Sequence, residues 1–275
     1  MSVSDSDYDY LRQLVLSRSA NLIDPSRNAL FDTRLKPIAE RAGASNLEEL
    51  VGLLRVDRTA HLQSAVAEAM TINETSFFRD RTPFDVLRDT ILPRLMEANQ
   101  DRRTLRIWSA AASTGQEAYS VAMLLCEHFP GLADWDVKIV GTDISRQVVD
   151  YARQARYRRI EVNRGLPARM LVKYFTRDGD EWEIVARLRS MCEFQVANLC
   201  NPLPPLPTFD LVLLRNVLLY FSRQDRGPVF TSVHRQMTRG GYLVLGAAEQ
   251  AEDSTDLFKT EFAQQSYFYR PAALR

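Results

Sequence analysis

Arg106-Ile-Trp-Ser109-Ala-Ala-Ala-Ser-Thr-Gly115-Gln-Glu117-Ala-Tyr-Ser120 reads as a strand, a turn and the start of a helix. An apolar run that ends in small residues and one Gly, followed by apolar positions at helical spacing, is the junction where an α/β sheet holds a nucleotide-like ligand. Small side chains let a ligand approach the backbone, and the helix start offers unpaired N–H groups. No Lys follows Gly115, so this is not a triphosphate loop, and a single Gly excludes the dinucleotide fingerprint. Glu117 in the first helical turn repels a phosphate and suits a ligand cation; the alternative is that it only complements the helix dipole.

Working outward, the stretch from 84 to 275 alternates strand and helix. A helix over Phe84 to Ala98, bent or ended at Pro93, leads in. Strands are expected at Leu105 to Ser109, Val137 to Thr142, Cys192 to Val196, Phe209 to Leu214 and Tyr242 to Gly246. Helices fall between them at Gln116 to His128, Ser145 to Arg153 and Gln224 to Met237, with Gly240-Gly241 as a turn. Such alternation with apolar strands means a mostly parallel sheet covered on both faces. The aromatic Ser266 to Arg270 suits a last, antiparallel edge strand. Residues 157–191 break the alternation and read as a small inserted β-subdomain, with Arg177-Asp178-Gly179-Asp180 as a turn and Trp182 to Leu188 as part of a hairpin.

The other chemistry-bearing residues stand at strand ends, where ligands of open α/β sheets bind. Asp143 ends Lys138-Ile-Val-Gly-Thr-Asp143 and can accept both ribose hydroxyls, or cap the next helix. Asn198-Leu199 follows the third strand, where an amide and a backbone N–H can read an adenine edge; a plain loop Asn is the alternative. Arg215-Asn216 directly follows Leu211 to Leu214, and Tyr220-Phe221 comes soon after. Upstream, Thr71-Ile-Asn73-Glu-Thr75-Ser-Phe77-Phe78-Arg79-Asp80 is dense in polar and cationic groups and reads as a lid or wall over the pocket. A cationic, phosphate-free ligand containing a nucleoside is S-adenosylmethionine, and this order of sites favours a methyltransferase over a dehydrogenase.

Residues 1–70 read as a helical bundle, with apolar stripes at Tyr10, Leu11, Leu14, Val15, at Phe31, Leu35, Ile38, and at Leu47, Leu50, Val51, Leu54. Asp24-Pro25-Ser26 looks like the start of the second helix and Gly43 like its stop, and Ser45-Asn-Leu-Glu48 like a capping box for the third. A fourth helix is expected from His61 to Met70. Arg27, Arg34 and Arg41 repeat every seven residues, which on one helix makes a basic stripe able to dock an acidic partner, or simply a solvated face.

The composition excludes several classes. Formal net charge is zero, so nothing global draws the chain to nucleic acid or membrane. The acidic, polar start lacks the features of a signal peptide, and the apolar runs are too short to span a bilayer, so a cytoplasmic protein is expected. Cys126, Cys192 and Cys200 contain no paired spacing for zinc or a disulfide framework, and His61, His128 and His234 are far apart; no metal is expected.

With these residues in hand, the chain resembles the CheR-type chemotaxis receptor methyltransferases, which esterify glutamate side chains using S-adenosylmethionine. The resemblance covers nearly the whole chain through 71–80, 106–120, Gly141-Thr-Asp143-Ile-Ser145, Asn198-Leu199 and Leu214-Arg-Asn-Val-Leu-Leu-Tyr220-Phe221. It implies an α/β fold: an N-terminal helical domain (1–70), a linker contributing to the cofactor site (71–83), and a Rossmann-like methyltransferase domain (84–275) with the inserted β-subdomain. It implies cofactor contacts, to S-adenosylmethionine and the product S-adenosylhomocysteine, at Asn73, Thr75, Arg79, Glu117, Asp143, Asn198, Leu199, Arg215 and Asn216. Arg79 and Tyr220 look like the positions facing the reacting groups, and Arg27, Arg34 and Arg41 like docking residues for the cytoplasmic helices of a methyl-accepting receptor.

The chain departs from the family pattern in places. Gln116 and Ala118 stand where Gly-Glu-Glu-Pro is usual, Ala110-Ala111 replaces Gly-Cys, and Glu117 is kept. The insert looks short and resembles that of members that use no receptor C-terminal pentapeptide tether. A monomer with neither nucleic-acid binding nor membrane insertion is expected. The rival readings are a methyltransferase with another substrate and a non-catalytic adaptor that senses the cofactor or its product.

Overall fold

The computed structural model describes residues 3–56, 60–251, 254 and 256–273. By internal contacts the chain divides into two compact units: Met1–Ile72 with Tyr220–Asp225, and Asn73–Leu219 with Arg226–Arg275.

The first unit is built from α1 (Asp5–Ser19), α2 (Ala29–Arg41), α3 (Leu47–Val56) and α4 (Ala60–Ala69). Ser4 and Asp7 close a capping box at the start of α1. Leu11, Val15, Phe31, Leu35, Leu50, Leu54 and Val66 form its buried core, as the apolar stripes require. Two boundaries differ from the expectation. Asp24 does cap a helical turn with Pro25 at its first position, but this is a short 3-10 turn, Pro25–Arg27, which ends before α2 begins. Arg27 is therefore not on α2, and the seven-residue spacing does not trace one helical face. The cap of α3 sits one residue later than read: Asn46 Oδ1 accepts the Glu49 N–H at 2.9 Å, and Glu49 accepts the Ser45 N–H at 2.7 Å. Gly43, at φ +78°, supplies the left-handed stop beyond α2. The stretch Tyr220–Asp225 joins this unit through an Asn21–Phe221 bridge and a Leu22 N–H donated to Tyr220 O at 2.9 Å.

The second unit opens with α5 (Thr82–Val86), a π-turn over Leu87–Ile91, and α6 (Leu92–Ala98). The expected bend at Pro93 takes a specific form. Pro93 has no N–H to give to the preceding turn, and the widened π-turn places it at the start of α6, with the Leu92 N–H bonded to Leu87 O. The elements β1 (Thr104–Ala110), α7 (Gln116–His128), β2 (Asp136–Asp143) and α8 (Arg146–Gln154) follow. The insert comprises β3 (Arg156–Arg158), α9 (Arg159–Val162), α10 (Ala168–Tyr174), β4 (Phe175–Asp178), β5 (Glu181–Ile184) and α11 (Ala186–Arg189). The unit is completed by β6 (Cys192–Val196), β7 (Phe209–Leu214), α12 (Arg223–Arg235, whose first turn belongs to the other unit), β8 (Met237–Leu245), β9 (Phe258–Ala263) and β10 (Ser266–Pro271).

The main sheet has the order β6-β2-β1-β7-β8-β10-β9. Its first five strands are parallel, and β10 and β9 are antiparallel. From β1 the chain builds outward through β2 and β6 on one side, then returns to build through β7 and β8 on the other. The switch point therefore lies between β1 and β7, where Ala110 pairs with Leu214, and a ligand crevice forms at such a point.

Three sheet expectations are corrected. Gly240 and Gly241 lie inside β8 rather than in a turn before it. The β7–β8 ladder slips between Phe209 and Leu211, and a Cβ on Gly241 would sit 3.1 Å from Asp210 O, so a small residue is needed within the strand. Ser266–Pro271 is antiparallel, but the edge is β9, in which only Phe258 is buried and Lys259, Thr260 and Phe262 are exposed. In the insert, β5 ends at Ile184, with Leu188 in α11, and pairs with both β4 and β3 in a three-stranded sheet. Tyr157, Phe175 and Ile184 of the insert belong to one continuous core with Phe77, Tyr119 and the central strands.

Candidate active site

Parallel pairing brings the strand ends to one edge. Ala110 pairs with both Thr142 and Leu214, and Asp143 pairs with Val196. Glu117, Asp143, Asn198 and Arg215 each follow or end one of these strands, so a single sheet edge carries all four. The turn from Ala111 to Gly115 is tight. Ala111, Ser113 and Gly115 have φ of +60°, +50° and +91°. A Cβ on Gly115 would lie 2.9 Å from Ala152 Cβ and 3.2 Å from Tyr157 Oη, so this position needs Gly for space as well as conformation.

Glu117 does more than complement a helix dipole. Its Oε1 accepts the Ser109 hydroxyl at 2.7 Å, and its Oε2 accepts Arg215 Nη1 at 2.8 Å. Arg215 is buried, and its Nη2 donates to Arg79 O at 2.7 Å and to Asp80 Oδ2 at 3.1 Å. Its guanidinium also stands over the Phe84 ring at 5.4 Å. One cation thus links the loop after β7, the helix after β1 and the 73–81 segment. Asp143 is buried. Its Oδ2 accepts the Ser113 N–H at 2.9 Å and its Oδ1 the Ser145 N–H at 3.0 Å, which fixes the carboxylate against the turn. Asp143 therefore steadies the chain just before α8 but does not cap that helix, whose N-cap is Ser145.

The 73–81 segment is held closely to this unit. Ser113 Oγ donates to Asn73 O at 2.7 Å, and the Phe78 N–H to Ser120 Oγ at 2.9 Å. Phe77 is fully buried, edge-on to Tyr157 and Phe175 with centroids 5.1 and 5.6 Å away. Phe78, Asp80 and Arg81 have φ of +49°, +68° and +42°, a cluster of left-handed residues that only strong packing sustains. Arg79 is half-buried and donates to Glu74 O at 2.8 Å. The carboxylate of Glu74 pairs with Arg164 of the insert, with the Arg79 charge also acting on it, and Asp80 pairs with Arg215.

The remaining expected residues are placed as follows. Asn73 and Thr75 are half-buried in the same segment. Asn198 folds back in a local turn, its Oδ1 accepting the Cys200 N–H at 3.0 Å, and Leu199 is buried beside it. Asn216 takes a left-handed φ of +58° directly after Arg215. Tyr220 ends a 3-10 turn, Leu218–Tyr220, and by its contacts belongs to the N-terminal unit. In that unit, Arg34 donates to Thr71 O at 2.8 Å, whereas Arg27 and Arg41 are exposed. Ser109, Ser113, Asp80 and Glu249 are structural partners that local spacing did not single out.

The residues fit an S-adenosyl group. Arg215 Nε is buried with no hydrogen-bond partner, a donor suited to an anionic or carbonyl oxygen. Two carboxylates at the same sheet edge, Glu117 and Asp143, are acceptors of the kind that an ammonium or a ribose diol takes. Among the described residues no group of His, Cys, Asp and Glu is placed to hold a metal, and no helix is long and apolar enough to cross a membrane.

Comparison with known proteins agrees with this chemistry. Residues 73–267 match the CheR methyltransferase, SAM binding domain. Chemotaxis protein methyltransferase 1 of Pseudomonas aeruginosa is 35% identical over 98% of this chain and 99% of its own length. Chemotaxis protein methyltransferase Cher2 of Pseudomonas putida is 34% identical over 94% of this chain and 95% of its own. A TehB-like SAM-dependent methyltransferase from Corynebacterium glutamicum superposes with a TM-score of 0.38 at 18% identity, over 65% of this chain and 83% of that one. A domain match across most of the chain and full-length likeness to the two Pseudomonas proteins lead to one conclusion: the chain belongs to the CheR methyltransferase family.

Proposed function

We propose that this S-adenosylmethionine-dependent chemotaxis methyltransferase esterifies glutamate side chains on the cytoplasmic helices of chemoreceptors, without a C-terminal tether. The observation that carries the reading is the Glu117–Arg215–Asp80 network at the β1/β7 switch point. It sets an acid and a cation at one sheet edge and couples both to the 73–81 segment.

The cofactor supplies a methyl group on a sulfonium centre. Glu117 receives the cofactor ammonium, Asp143 the ribose diol, and Asn198 with Leu199 the adenine edge. Asn73, Thr75, Arg79, Arg215 and Asn216 complete the enclosure. A glutamate with a pKa near ~4.3 is already ionised at neutral pH, so no general base is required. Burial of Phe77 and the half-burial of Phe78 keep water from the site, and attack that cancels charge is favoured in a dry pocket. Catalysis is then chiefly positioning. Arg79 orients a carboxylate, and Tyr220 donates a hydrogen bond near the reacting groups. Exposed Arg27 and Arg41 attract the acidic receptor helix. Arg34, whose Nη1 donates to Thr71 O, keeps its charge and adds to that attraction. The short strands of the insert (β3 of three residues, β4 and β5 of four each) support tether-independent action, because they offer little edge for an added peptide strand.

The test incubates the enzyme with methyl-labelled S-adenosylmethionine and receptor cytoplasmic fragments with and without a tether. Equal labelling of both is expected. Label in the tethered fragment alone would overturn tether independence. Tight S-adenosylhomocysteine binding with label in neither would favour the adaptor reading. Loss of at least about tenfold in rate is expected for Arg79→Ala, and unchanged rate and cofactor affinity would remove Arg79 from its assigned role.

A further inference from the structure

Glu249 is a buried acid, 8% exposed, that the mechanism above does not use. It lies four residues beyond the end of β8, and its carboxylate gathers backbone donors from two loops. Oε2 accepts the Asn216 N–H at 2.6 Å and the Gly246 N–H at 2.8 Å, while Oε1 accepts the Leu219 N–H at 3.3 Å. The Glu249 N–H closes its own turn on Gly246 O at 3.0 Å. The close approach depends on Gly246. A Cβ there would lie 2.6 Å from Glu249 Oε2 and 2.9 Å from both Asn216 N and Asn216 Nδ2. Two of the three accepted N–H groups belong to the loop after β7, and one is that of Asn216 in its left-handed conformation.

We propose that Glu249 is the positioning residue that holds the loop after β7 in the shape that presents Arg215 and Asn216 to the cofactor. The proposal rests on the cofactor site assigned above. A carboxylate is suited to this task because both its oxygens only accept, so three converging N–H groups meet no competing donor. An amide of the same size offers one accepting oxygen and turns an NH2 group toward a backbone N–H. With the clamp loosened, Asn216 has less reason to keep φ at +58°, and the Arg215 guanidinium loses its fixed root.

The test measures S-adenosylhomocysteine affinity by calorimetry at low temperature, receptor KM, and thermal unfolding, for the full chain and for Glu249→Gln and Gly246→Ala. Gly246→Ala reaches the same clamp by displacing the carboxylate, so it decides the matter if Glu249→Gln does not fold. In each folded variant the dissociation constant is expected to rise about tenfold or more, as for loss of a charged hydrogen bond, with receptor KM unchanged. The double variant should lose little beyond the worse single one. A merely structural role would lower the unfolding temperature and leave low-temperature affinity within about twofold; that result overturns the proposal. Absence of binding by the unaltered chain would overturn the cofactor site and this proposal together, whereas tight binding by it with unchanged variants overturns this proposal alone.

Discussion

Arg215 Nη1 stands 2.8 Å from Glu117 Oε2, across 98 positions of sequence, with the Arg215 side chain 2% and the Glu117 side chain 13% exposed. The pairing follows from topology, since the two residues leave adjacent parallel strands at the switch point. Removing Glu117 takes one of two acid partners from buried Arg215, which keeps Asp80, and costs about 1–3 kcal/mol, as for loss of a charged hydrogen bond. Glu117→Ala is therefore expected to lower unfolding stability in urea by about that amount and to weaken S-adenosylhomocysteine binding at least about tenfold. Unchanged calorimetric affinity would remove Glu117 from the cofactor site.

Asp143 accepts from both Ser113 N–H and Ser145 N–H. Asp143→Asn keeps the shape but leaves only one accepting oxygen, so one of those backbone bonds fails. Cofactor affinity is expected to fall about tenfold. Part of that loss should be specific to the diol: the unaltered chain should discriminate against a 2′-deoxyribose analogue of S-adenosylhomocysteine, and Asp143→Asn should not. Equal discrimination by both proteins would show that Asp143 serves the backbone alone.

Gly165 couples the insert to the 73–81 segment. It has φ +85°, and a Cβ there would lie 2.1 Å from Phe77 O, a backbone atom that cannot swing aside. Gly165→Ala is expected to cost about 1–3 kcal/mol of stability through overpacking and a strained φ. It should also weaken cofactor binding, because Phe77 and Arg79 share that segment. Thermal unfolding and calorimetry check both effects.

Much of the α/β unit was legible because fully buried parallel strands are continuous apolar runs, as at Phe209 to Leu214. Glu117, Asp143 and Arg215 were legible because the ends of such strands are the ligand edge. Other features were not, for physical reasons. β9 is an edge strand with exposed Lys259 and Thr260, so it lacks that signal. Gly240-Gly241 looks like a turn in any local reading, and only the closeness of Gly241 to Phe209 and Asp210 shows why a Gly sits in the strand there. The Arg spacing at 27, 34 and 41 presumed one helix, whereas the Asp24 cap starts a separate 3-10 turn. Glu249 binds groups 30 and 33 positions away, which no local spacing encodes.

A pH dependence resides in the contact between α7 and the insert. Hydrogen bonds from Lys173 and Tyr174 hold the Glu127 carboxyl below its ordinary value of 4.5. A depressed acid contributes stability that is fully present above 4.5 and is lost as the pH falls through the lower folded-state value. Burial, then the Glu127 contact, pushes the Tyr174 hydroxyl up to about 12, so it stays a donor through the neutral range. Glu127→Gln is expected to be less stable than the unaltered chain at pH 7, with the gap closing in acid. A gap independent of pH would show that the charge of Glu127 contributes nothing.

The most direct measurement is the chemical nature of the product. After incubation with methyl-labelled S-adenosylmethionine, a receptor cytoplasmic fragment should carry label that mild base releases as methanol. That label should disappear when the modified glutamates are replaced by Ala. Base-stable label, or label that persists after those replacements, would contradict glutamyl ester formation by this enzyme.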